Sequence, residues 1–447
     1  FIMLEDIIGE RKKKLENFLK AGIEPYPEKS KRTHKISEAL DGFSSLSKSR
    51  KRIFVCGRIF GMRVMGNIVF YDLRDESGKI QGVLKKDNLK KDFALFKDNL
   101  DIGDFIEAGG ILFITKTGEK SIEIKNLRLL AKSLRPLPSQ WHGLKEVEER
   151  YRKRYLDIFL NPDVKETINK RSEIIQNIRK DLLTAGFNEV ETPMLQALPG
   201  GALARPFITH HNALDVDFYL RIAPELYLKR LLIAGFEKIF EIGKVFRNEG
   251  IDRDHNPEFT MLELYWAYQD WGGLMKFTEK LLKKFIGGAW SKIKYEEAIK
   301  KYAGKNLKDI KPEEIDEIFK KEVRSKIIKP TLITHYPKSI SPLAKSCSDN
   351  PALTERFQLI VDGMEIVNGF SELNDSNDQR VRMEEQERNY RKGDKEASRL
   401  DEDFLEALDY GMPPAAGLGI GIDRLVSLIT KKHNIKEVII FPTLRPK

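Results

Sequence analysis

Alternating apolar and polar residues dominate positions 52–130 and predict a region of short β-strands. A period of two places successive side chains on opposite faces of a strand, so each run can bury one face. The predicted strands are Ile53–Phe60, Ile68–Leu73, Ile80–Leu84, Phe105–Thr115 and Ser121–Leu130. Five short strands at this spacing, several of them separated by glycine or turn residues, favour a small barrel or sandwich.

Helical spacing appears on both sides of this region. Leu4–Ala21 predicts a helix that Gly22 ends, and Asp163–Ala185 predicts an amphipathic helix with Gly186 just past its end. The lysine-rich run Met275–Lys311 is also predicted to be helical.

Four regions follow from these patterns, with Arg135-Pro136-Leu137-Pro138 as a stiff boundary. We expect a helical extension, a barrel, a linker and a large second domain whose lysine-rich helical segment covers about 275–330. Their boundaries are 1–50, 51–135, 136–160 and 161–447.

The second domain contains two predicted hairpins. Lys238–Phe246 and Phe259–Tyr268 flank a polar loop, and Phe357–Phe370 reverses at Asp362-Gly363, a strong turn pair. Ile435–Phe441 is predicted to be a last apolar strand. Because strands and helices do not alternate strictly, the pattern favours an α+β domain built on an antiparallel sheet.

Composition and short motifs indicate which partners the protein can have and which classes of protein are excluded. The 447 residues include 78 Lys+Arg and 68 Asp+Glu, a formal charge of +10 that favours a polyanionic partner such as nucleic acid. Two distant cysteines, Cys56 and Cys347, form no CxxC pair and indicate reduced thiols in a cytoplasmic protein. The sequence contains no GxxxxGK[ST] loop, no HExxH and no apolar run of about 20 residues, so we expect no P-loop and no membrane span.

The first predicted hairpin carries an arginine, two glutamates, an asparagine and two aromatic residues. Arg247 ends one strand, Glu249 and Asn256 lie in the loop, and Phe259 begins a strand that alternates through Glu263 and Tyr265. An arginine fork suits a carboxylate or phosphate, and an aromatic face suits a flat base.

Three blocks carry a family resemblance. Phe246–Gly250 with His255–Phe259 resembles motif 2 of the class II aminoacyl-tRNA synthetases, Gly417–Arg424 resembles motif 3, and Gly186–Pro193 resembles motif 1. Further matches to lysyl-tRNA synthetases of the bacterial type are Gly200–Ala202, Arg221–Tyr227 and Asn368–Asn374.

The resemblance implies that lysine is activated with ATP and then transferred to tRNA(Lys). The reaction brings a carboxylate to a phosphate, so the site needs cations and positioning rather than a protein nucleophile. The implied catalytic residues are Arg247 and Arg424. The implied ATP-binding residues are Arg247, Glu249, Asn256, Phe259 and Arg424.

The implied lysine pocket is acidic. Glu225, Glu372 and the Tyr265 hydroxyl would hold the side-chain ammonium, because a buried carboxylate needs a cationic partner. The other implied lysine-binding residues are Gly201, Glu263, Asn368 and Phe370. An enzyme charging aspartate or asparagine, the nearest alternative, would want cationic groups there.

The chain departs from the family at one implied metal ligand. Lysine enzymes usually carry two carboxylates for Mg²⁺ on the second hairpin, where this chain has Glu365 and the amide Gln358. A two-residue turn would pair Gln358 with Val367 and leave Glu365 a diagonal neighbour at roughly 7–8 Å. An amide oxygen can coordinate Mg²⁺ only without charge, so Gln358 is a doubtful ligand. It is also the one feature that favours a non-catalytic RNA-binding paralogue.

The barrel has the size and strand count of an OB-fold, whose open face binds single-stranded nucleic acid. The resemblance implies that it reads the anticodon, with Phe70 as stacking platform and Gln81, Glu119 and Arg58 as further contacts. It also implies a homodimer, because motif 1 builds a two-fold interface in this class.

Overall fold

The computed structural model describes residues 3–138, 144, 146–311, 314–394, 396–397 and 399–446. Contacts divide the chain into two compact units, Phe1–Gly143 and Leu144–Lys447. Residues 139–143 and 145 of the predicted linker, and 312–313 of the lysine-rich segment, lie outside the described residues.

The amino-terminal unit is built on a closed barrel with strand order β1-β2-β3-β5-β4. Its strands are β1 (Ile53–Met65), β2 (Ile68–Arg74), β3 (Lys79–Lys85), β4 (Phe105–Ile114) and β5 (Lys120–Ala131). Its helices are α1 (Leu4–Lys20), α2 (Ile36–Asp41), α3 (Phe43–Ser49), α4 (Lys86–Leu89) and α5 (Phe93–Asn99), with a 3₁₀ turn at Lys90–Asp92. The five predicted strands and the first predicted helix are confirmed.

The described residues of the segment 1–50 pack onto the barrel and do not form a separate body. Phe18, Ile36 and Phe43 belong to the same buried cluster as the barrel interior. The buried Arg11 guanidinium donates hydrogen bonds to the carbonyl oxygens of Ser133 at 2.8 Å and Ile102 at 3.1 Å. These contacts fix α1 against the strand ends.

In the described residues, the second unit contains an eight-stranded sheet of order β12-β13-β14-β15-β16-β11-β10-β6 and a three-stranded sheet of order β7-β9-β8. The strands are β6 (Asn188–Glu189), β7 (Leu195–Gln196), β8 (Ile208–His211), β9 (Val216–Leu220), β10 (Lys238–Phe246), β11 (Glu258–Ala267), β12 (Ser291–Lys294), β13 (Thr331–Pro337), β14 (Leu353–Val361), β15 (Met364–Ser371) and β16 (Ala415–Gly421). Adjacent strands of the large sheet are antiparallel except at its two edges, where β12 pairs with β13 and β6 with β10 in parallel. The predicted α+β class with an antiparallel sheet is confirmed.

Helices pack on both sides of this sheet and along its edges. They are α6 (Val147–Arg152), α7 (Arg154–Leu160), α8 (Pro162–Thr184), α9 (Glu225–Ile233), α10 (Trp271–Leu282), α11 (Tyr295–Ala298), α12 (Ile315–Ile318), α13 (Ser376–Arg391), α14 (Glu402–Asp409) and α15 (Ile422–Ile429). Shorter turns are the π-helices Ile299–Ala303 and Phe319–Val323 and the 3₁₀ turns Leu307–Asp309, Arg324–Lys326, Lys338–Ile340 and Ile435–Glu437.

One face of the large sheet is the apolar core. Leu262 and Leu264 of β11 and Leu418 of β16 pack there against α8, α10 and α15. Alternation along the same strands turns Glu263, Tyr265 and their neighbours to the opposite face. The sheet therefore separates a dry core from a polar face.

Two predicted elements are wrong. The run Met275–Lys311 contains strand β12, which pairs with β13, instead of continuous helix. Residues 435–441 form no strand. Ile435, Val438 and Ile439 have the spacing of a helical turn. The Arg154 guanidinium donates hydrogen bonds to the carbonyl oxygens of Ile439 and Ile440. Carbonyls bonded to a buried arginine are unavailable to a sheet.

A substitution at Gly110 tests the close approach of strands β4 and β5 in the barrel. Gly110 follows a register shift in β4, and a Cβ there would lie 2.0 Å from the Glu123 carbonyl oxygen. Gly110→Ala should destabilise the protein by about 1–3 kcal/mol because the two backbones must separate. Gly9→Ala, in α1 with nothing within 4 Å of the added carbon, is the control and should stabilise by about 1 kcal/mol. Equal midpoints of urea unfolding for wild type and Gly110→Ala would contradict the β4–β5 register.

Candidate active site

The polar face of the large sheet bounds a cavity of about 780 Å³. With one exception, the residues predicted for ATP, lysine and metal binding line this cavity. They are Gly201, Glu225, Arg247, Glu249, Asn256, Phe259, Glu263, Tyr265, Gln358, Glu365, Asn368, Phe370 and Arg424. The exception, Glu372, is buried directly behind the wall, against Gly417 and Tyr265.

Glycines hold one side of the cavity open. Gly417 of β16 pairs with Tyr265 of β11, and a Cβ on Gly417 would lie 2.4 Å from Glu372 Oε1 and 2.5 Å from the Tyr265 ring. Gly201, at φ +86°, approaches Glu225 so closely that a Cβ would lie 2.8 Å from the Glu225 Cβ. Any side chain at either position would displace an acidic group of the site.

Carboxylates gather at one end of the cavity around a buried lysine. Lys229 Nζ lies 2.7 Å from Glu225 Oε1 and 2.6 Å from Glu372 Oε2. Burial lowers the pKa of Lys229, but Glu225 and Glu372 raise it above its ordinary value. Lys229 is therefore charged and already neutralises one of its two carboxylates.

Glu263 adds a third carboxylate to this end. Its Oε2 accepts a hydrogen bond from the Tyr265 hydroxyl at 3.0 Å. Burial, helped by the nearby charge of Glu225, raises the pKa of Glu263 to about 8, and the Tyr265 hydrogen bond opposes the rise. Burial also raises the pKa of Glu372 to about 8 against the pull of Lys229. The charge of Arg247 also opposes the rise at Glu263, but at this end of the cavity the buried carboxyls outnumber Lys229, which contacts only Glu225 and Glu372.

Sequence reasoning missed two buried residues at this site. Lys229 lies one helical turn after Glu225 on α9, and this i,i+4 spacing of opposite charges was the available signal. Gln379 of α13 lines the cavity with no exposed surface, and neither of its amide atoms has a hydrogen-bond partner in the described residues. Nothing in the local pattern of α13 distinguishes Gln379 from an ordinary surface glutamine.

Arginines gather at the opposite end. The Arg247 guanidinium lies 5.2 Å from the centre of the Phe259 ring. Arg424 donates to the carbonyl oxygens of Asp254 at 3.4 Å and Glu365 at 3.3 Å. Burial lowers the pKa of Arg247, and the charge of Arg424 lowers it further while Glu249 opposes both. Two close guanidinium groups with few carboxylate partners suit an anion.

The hairpin loop presents an open acceptor to the same cavity. Asn256 is buried, and its amide nitrogen donates to the Glu258 carbonyl at 2.6 Å. Its Oδ1 has no partner in the described residues. The hydrogen bond fixes the side chain and leaves that oxygen available to a ligand.

A buried ion pair fixes the base of Arg424. Asp423 accepts from Arg171 of α8 and, at 2.7 Å, from the backbone N–H of Thr260. Arg171 also donates to the Thr260 hydroxyl at 3.0 Å. Helix α15, strand β11 and helix α8 are thus joined at the residue before Arg424.

The second hairpin differs from its predicted register. Asp362 and Gly363 both have positive φ, as the turn requires, but a bulge at Ile366 pairs Gln358 with Asn368, so the predicted partner Val367 is wrong. Gln358 Oε1 accepts from the Tyr336 hydroxyl at 2.7 Å. Asn368 Oδ1 accepts from Arg356 at 2.9 Å, a neighbour that sequence reasoning did not include.

Among the described residues, no group of three His, Cys, Asp or Glu side chains is placed to hold a metal. The oxygen donors that this hairpin presents to the cavity are the Glu365 carboxylate and the amide oxygens of Gln358 and Asn368, which already accept from Tyr336 and Arg356. Mg²⁺ commonly takes one or two carboxylates together with substrate phosphates. The donor set therefore fits an ion held mainly by phosphate oxygens.

The four barrel residues predicted for nucleic acid lie outside the barrel core. Phe70 is partly exposed on β2, whose buried positions are Val69, Tyr71 and Leu73. The Ser121 hydroxyl lies 3.1 Å from Gln81 Oε1 and 3.2 Å from the Glu119 carbonyl, which puts these two residues side by side. The Arg58 guanidinium stacks 4.5 Å from the centre of the Phe105 ring.

Comparison with known proteins agrees with both units. A family model described as class II tRNA synthetases (D, K and N) matches residues 146–445, and one described as an OB-fold nucleic acid binding domain matches residues 53–130. Fold, cavity and family model together define a class II aminoacyl-tRNA synthetase with an amino-terminal OB-fold.

Similar proteins indicate which family of class II synthetases the chain belongs to. The lysine–tRNA ligases of Roseiflexus castenholzii and Carboxydothermus hydrogenoformans are each 46% identical to this chain, and the alignments cover 99% of both partners. That of Pelotomaculum thermopropionicum is 44% identical over 99% of this chain and 96% of its own length. The chain belongs to the lysine–tRNA ligase family, which confirms the resemblance of its motifs. In the described part of the chain, no helix combines the length and the apolarity that a membrane span needs.

The acidic end of the cavity makes stability depend on pH. A carboxyl whose pKa is 4.5 unfolded and about 8 folded keeps its proton longer in the native state, so stability falls as pH rises between these values. Glu372→Gln removes this loss. Without ligand, the variant should be more stable than wild type at pH 9 by roughly 1–4 kcal/mol, at about 1.4 kcal/mol per pKa unit, and nearly equal at pH 4.5.

Glu387→Gln is the opposite control. Although burial raises the pKa of Glu387, the Leu400 N–H and two arginines hold it below its ordinary value, so this variant should lose stability at pH 9. Urea unfolding at both pH values measures these changes. A Glu372→Gln protein less stable than wild type at pH 9 would contradict the surplus of buried carboxylates.

Proposed function

We propose that this protein attaches L-lysine to tRNA(Lys) in two steps at the cavity of the second unit. A lysine carboxylate oxygen attacks the α-phosphorus of ATP, lysyl-adenylate forms and pyrophosphate leaves. A hydroxyl of the terminal tRNA ribose then attacks the lysyl carbonyl, and AMP leaves. The observation that carries the choice of lysine is the surplus of buried carboxylates around Lys229.

Charge explains the selection of the amino acid. The ε-ammonium of lysine would supply the missing cation beside Glu225, Glu372 and the Tyr265 hydroxyl. Glu263 and the backbone at Gly201 would receive the α-amino group, Asn368 the carboxylate, and Phe370 would pack along the chain. Aspartate or asparagine would leave the carboxylates without a partner, which costs several kcal/mol for a buried charge.

The arginine end would hold ATP. Arg247 would bridge the lysine carboxylate and the α-phosphate, and its neutralisation of both would be the main catalytic contribution. Arg424 would bind the γ-phosphate, Phe259 would stack on adenine, and Glu249 and Asn256 would complete the nucleotide contacts. The open Oδ1 of Asn256 supports its place in this set.

Magnesium would enter with the nucleotide. Glu365 is the protein carboxylate for it, and Gln358 at most a neutral second ligand. When bound, the ion neutralises phosphate charge.

The protein would bind tRNA(Lys) and a second copy of itself. The barrel would read the anticodon through Phe70, Gln81, Glu119 and Arg58, with the second unit carrying catalysis. A homodimer is supported by exposed apolar side chains around the three-stranded sheet next to motif 1: Met194, Leu195, Ile208, Leu214 and Val216. The two cysteines, which form no disulfide, fit a cytoplasmic enzyme.

ATP–pyrophosphate exchange with each of the twenty amino acids tests the activity. Lysine alone should support rapid exchange, since it alone pairs a long aliphatic chain with an ammonium group. Exchange with aspartate or asparagine would overturn the choice of substrate, and no exchange with any amino acid would favour the non-catalytic RNA-binding alternative.

A substitution at Phe70 tests whether the barrel binds tRNA while the second unit activates lysine. Phe70→Ala should weaken aminoacylation of tRNA(Lys) by roughly 5- to 150-fold, because one base–aromatic stack is worth about 1–3 kcal/mol. Lysine-dependent pyrophosphate exchange should not change. Phe54→Ala is the matched control, since Phe54 is also partly exposed but packs over Gly109 on β4. Equal aminoacylation by the Phe70 and Phe54 variants would remove Phe70 from the tRNA contact.

A further inference from the structure

The segment between β12 and β13 is a small helical body fixed to the sheet. Its apolar residues Tyr295, Phe319 and Val323 form a buried cluster with Tyr336 of β13 and Ile360 of β14. The Tyr295 and Phe319 rings stack with centres 4.5 Å apart. Shared burial with two strands of the catalytic sheet makes the segment a wall of the site.

Backbone hydrogen bonds attach the end of this segment to the second hairpin. The N–H of Asp362 donates to the Ile328 carbonyl and that of Gly363 to the Ile327 carbonyl, both at 2.9 Å. A Cβ on Gly363 would lie 3.4 Å from Ser325 Cα, so the two backbones are in contact. The turn Arg324–Lys326 is thereby held beside the strand that carries Glu365.

Two cations of this segment face the cavity. Lys320 and Arg324 both line it, one helical turn apart across the end of the π-helix Phe319–Val323. They also line a smaller adjoining cavity of about 310 Å³, together with Arg253, Asp254 and Asp362. Because the Asp254 carbonyl accepts from Arg424, the two cations stand at the arginine end of the site.

Neither cation is strongly engaged within the protein. Among the described residues Arg324 has no ion-pair partner, and Lys320 pairs with Asp316 at 2.6 Å while more than half of its side chain stays exposed. An exposed i,i+4 pair contributes little and can yield to a stronger anion. Both side chains are available to phosphate oxygens.

The charges of the second hairpin leave phosphate charge for Lys320 and Arg324 to neutralise. Gln358 is neutral and its oxygen is taken by Tyr336, so Glu365 is the hairpin carboxylate that lines the large cavity in the described residues; Asp362, at the turn, lines the smaller cavity. Less charge on the phosphates is then neutralised through protein-held metal, and more must be neutralised by protein cations.

We propose that Lys320 and Arg324 bind the terminal phosphates of ATP and the departing pyrophosphate, making the helical segment a phosphate clamp. The inference rests on the proposed function, because it assumes that ATP binds with its triphosphate toward Arg424. It assigns a role to a lysine-rich segment that the motifs leave unexplained.

Calorimetric titration of the full chain with ATP, pyrophosphate and AMP tests the clamp, in EDTA and again with excess Mg²⁺. Removing charge-assisted hydrogen bonds in Lys320→Ala/Arg324→Ala should weaken ATP and pyrophosphate binding in EDTA by about 10- to 100-fold. AMP, which lacks the terminal phosphates, should bind as to wild type. Mg²⁺ should reduce but not abolish the difference.

Lys321→Ala is the matched control. Lys321 is the neighbour of Lys320 in sequence, pairs with Glu317, has a side chain that is 73% exposed, and is not among the residues lining the cavity. It should bind all three ligands normally. Arg324→Lys, which keeps the charge, should retain most of the ATP affinity.

Three results would overturn the clamp: unchanged ATP affinity in the double variant, an equal loss for AMP, or a defect confined to the KM for tRNA. The last would mean that these cations contact the acceptor end of tRNA instead. The proposed activity is checked separately, by lysine-dependent pyrophosphate exchange in the wild type, so its failure is distinguishable from failure of the clamp.

Discussion

The site depends on three buried carboxyl groups at one end of the cavity: Glu225 and Glu372, which contact Lys229, and Glu263, which is bonded to Tyr265. Each carboxylate comes from a different element of the second unit, and each would ionise freely in water. Burial raises the pKa of both Glu263 and Glu372 to about 8, so these two resist ionisation, while Lys229 pairs with Glu225 and Glu372. The arrangement costs stability in the empty protein, and a ligand ammonium can return that cost as binding energy. Enzymes commonly show this trade-off, in which an arrangement that lowers the stability of the free protein strengthens ligand binding.

The opposite end of the cavity carries the opposite charge and needs a different support. Arg247 and Arg424 repel each other, so their positions must be imposed by the fold. The ion pair of Arg171 with Asp423, closed onto the backbone of β11, does this for Arg424. In the proposed function, an anionic end for an ammonium and a cationic end for polyphosphate would orient the two substrates before they touch. The sheet between these ends would keep the carboxylate of one substrate near the α-phosphate of the other.

Much of this site follows from sequence because its signals are local. The apolar run Lys238–Phe246 predicts β10, the alternation over Phe259–Tyr268 predicts β11 to within one residue, and Asp362-Gly363 predicts a reversal because the turn requires positive φ. The bulge at Ile366 was missed because it depends on contacts across strands, and it changes the partner of Gln358. Strand β12 was missed because its lysines suit a helix and only pairing with β13 makes it a strand. The open amide of Gln379 depends on packing from distant elements, which one local pattern cannot reveal.

Proton release on lysine binding is the most direct test of the carboxylate surplus. Carboxyls that hold their protons to about pH 8 in the empty site must ionise to pair with the ligand ammonium. Titration calorimetry with L-lysine at pH 7, repeated in buffers of different ionisation enthalpy, should show release of about one proton per lysine bound, falling as the pH passes 8. Glu372→Gln should release fewer protons. Binding of lysine with no proton release, or with proton uptake, would contradict the account.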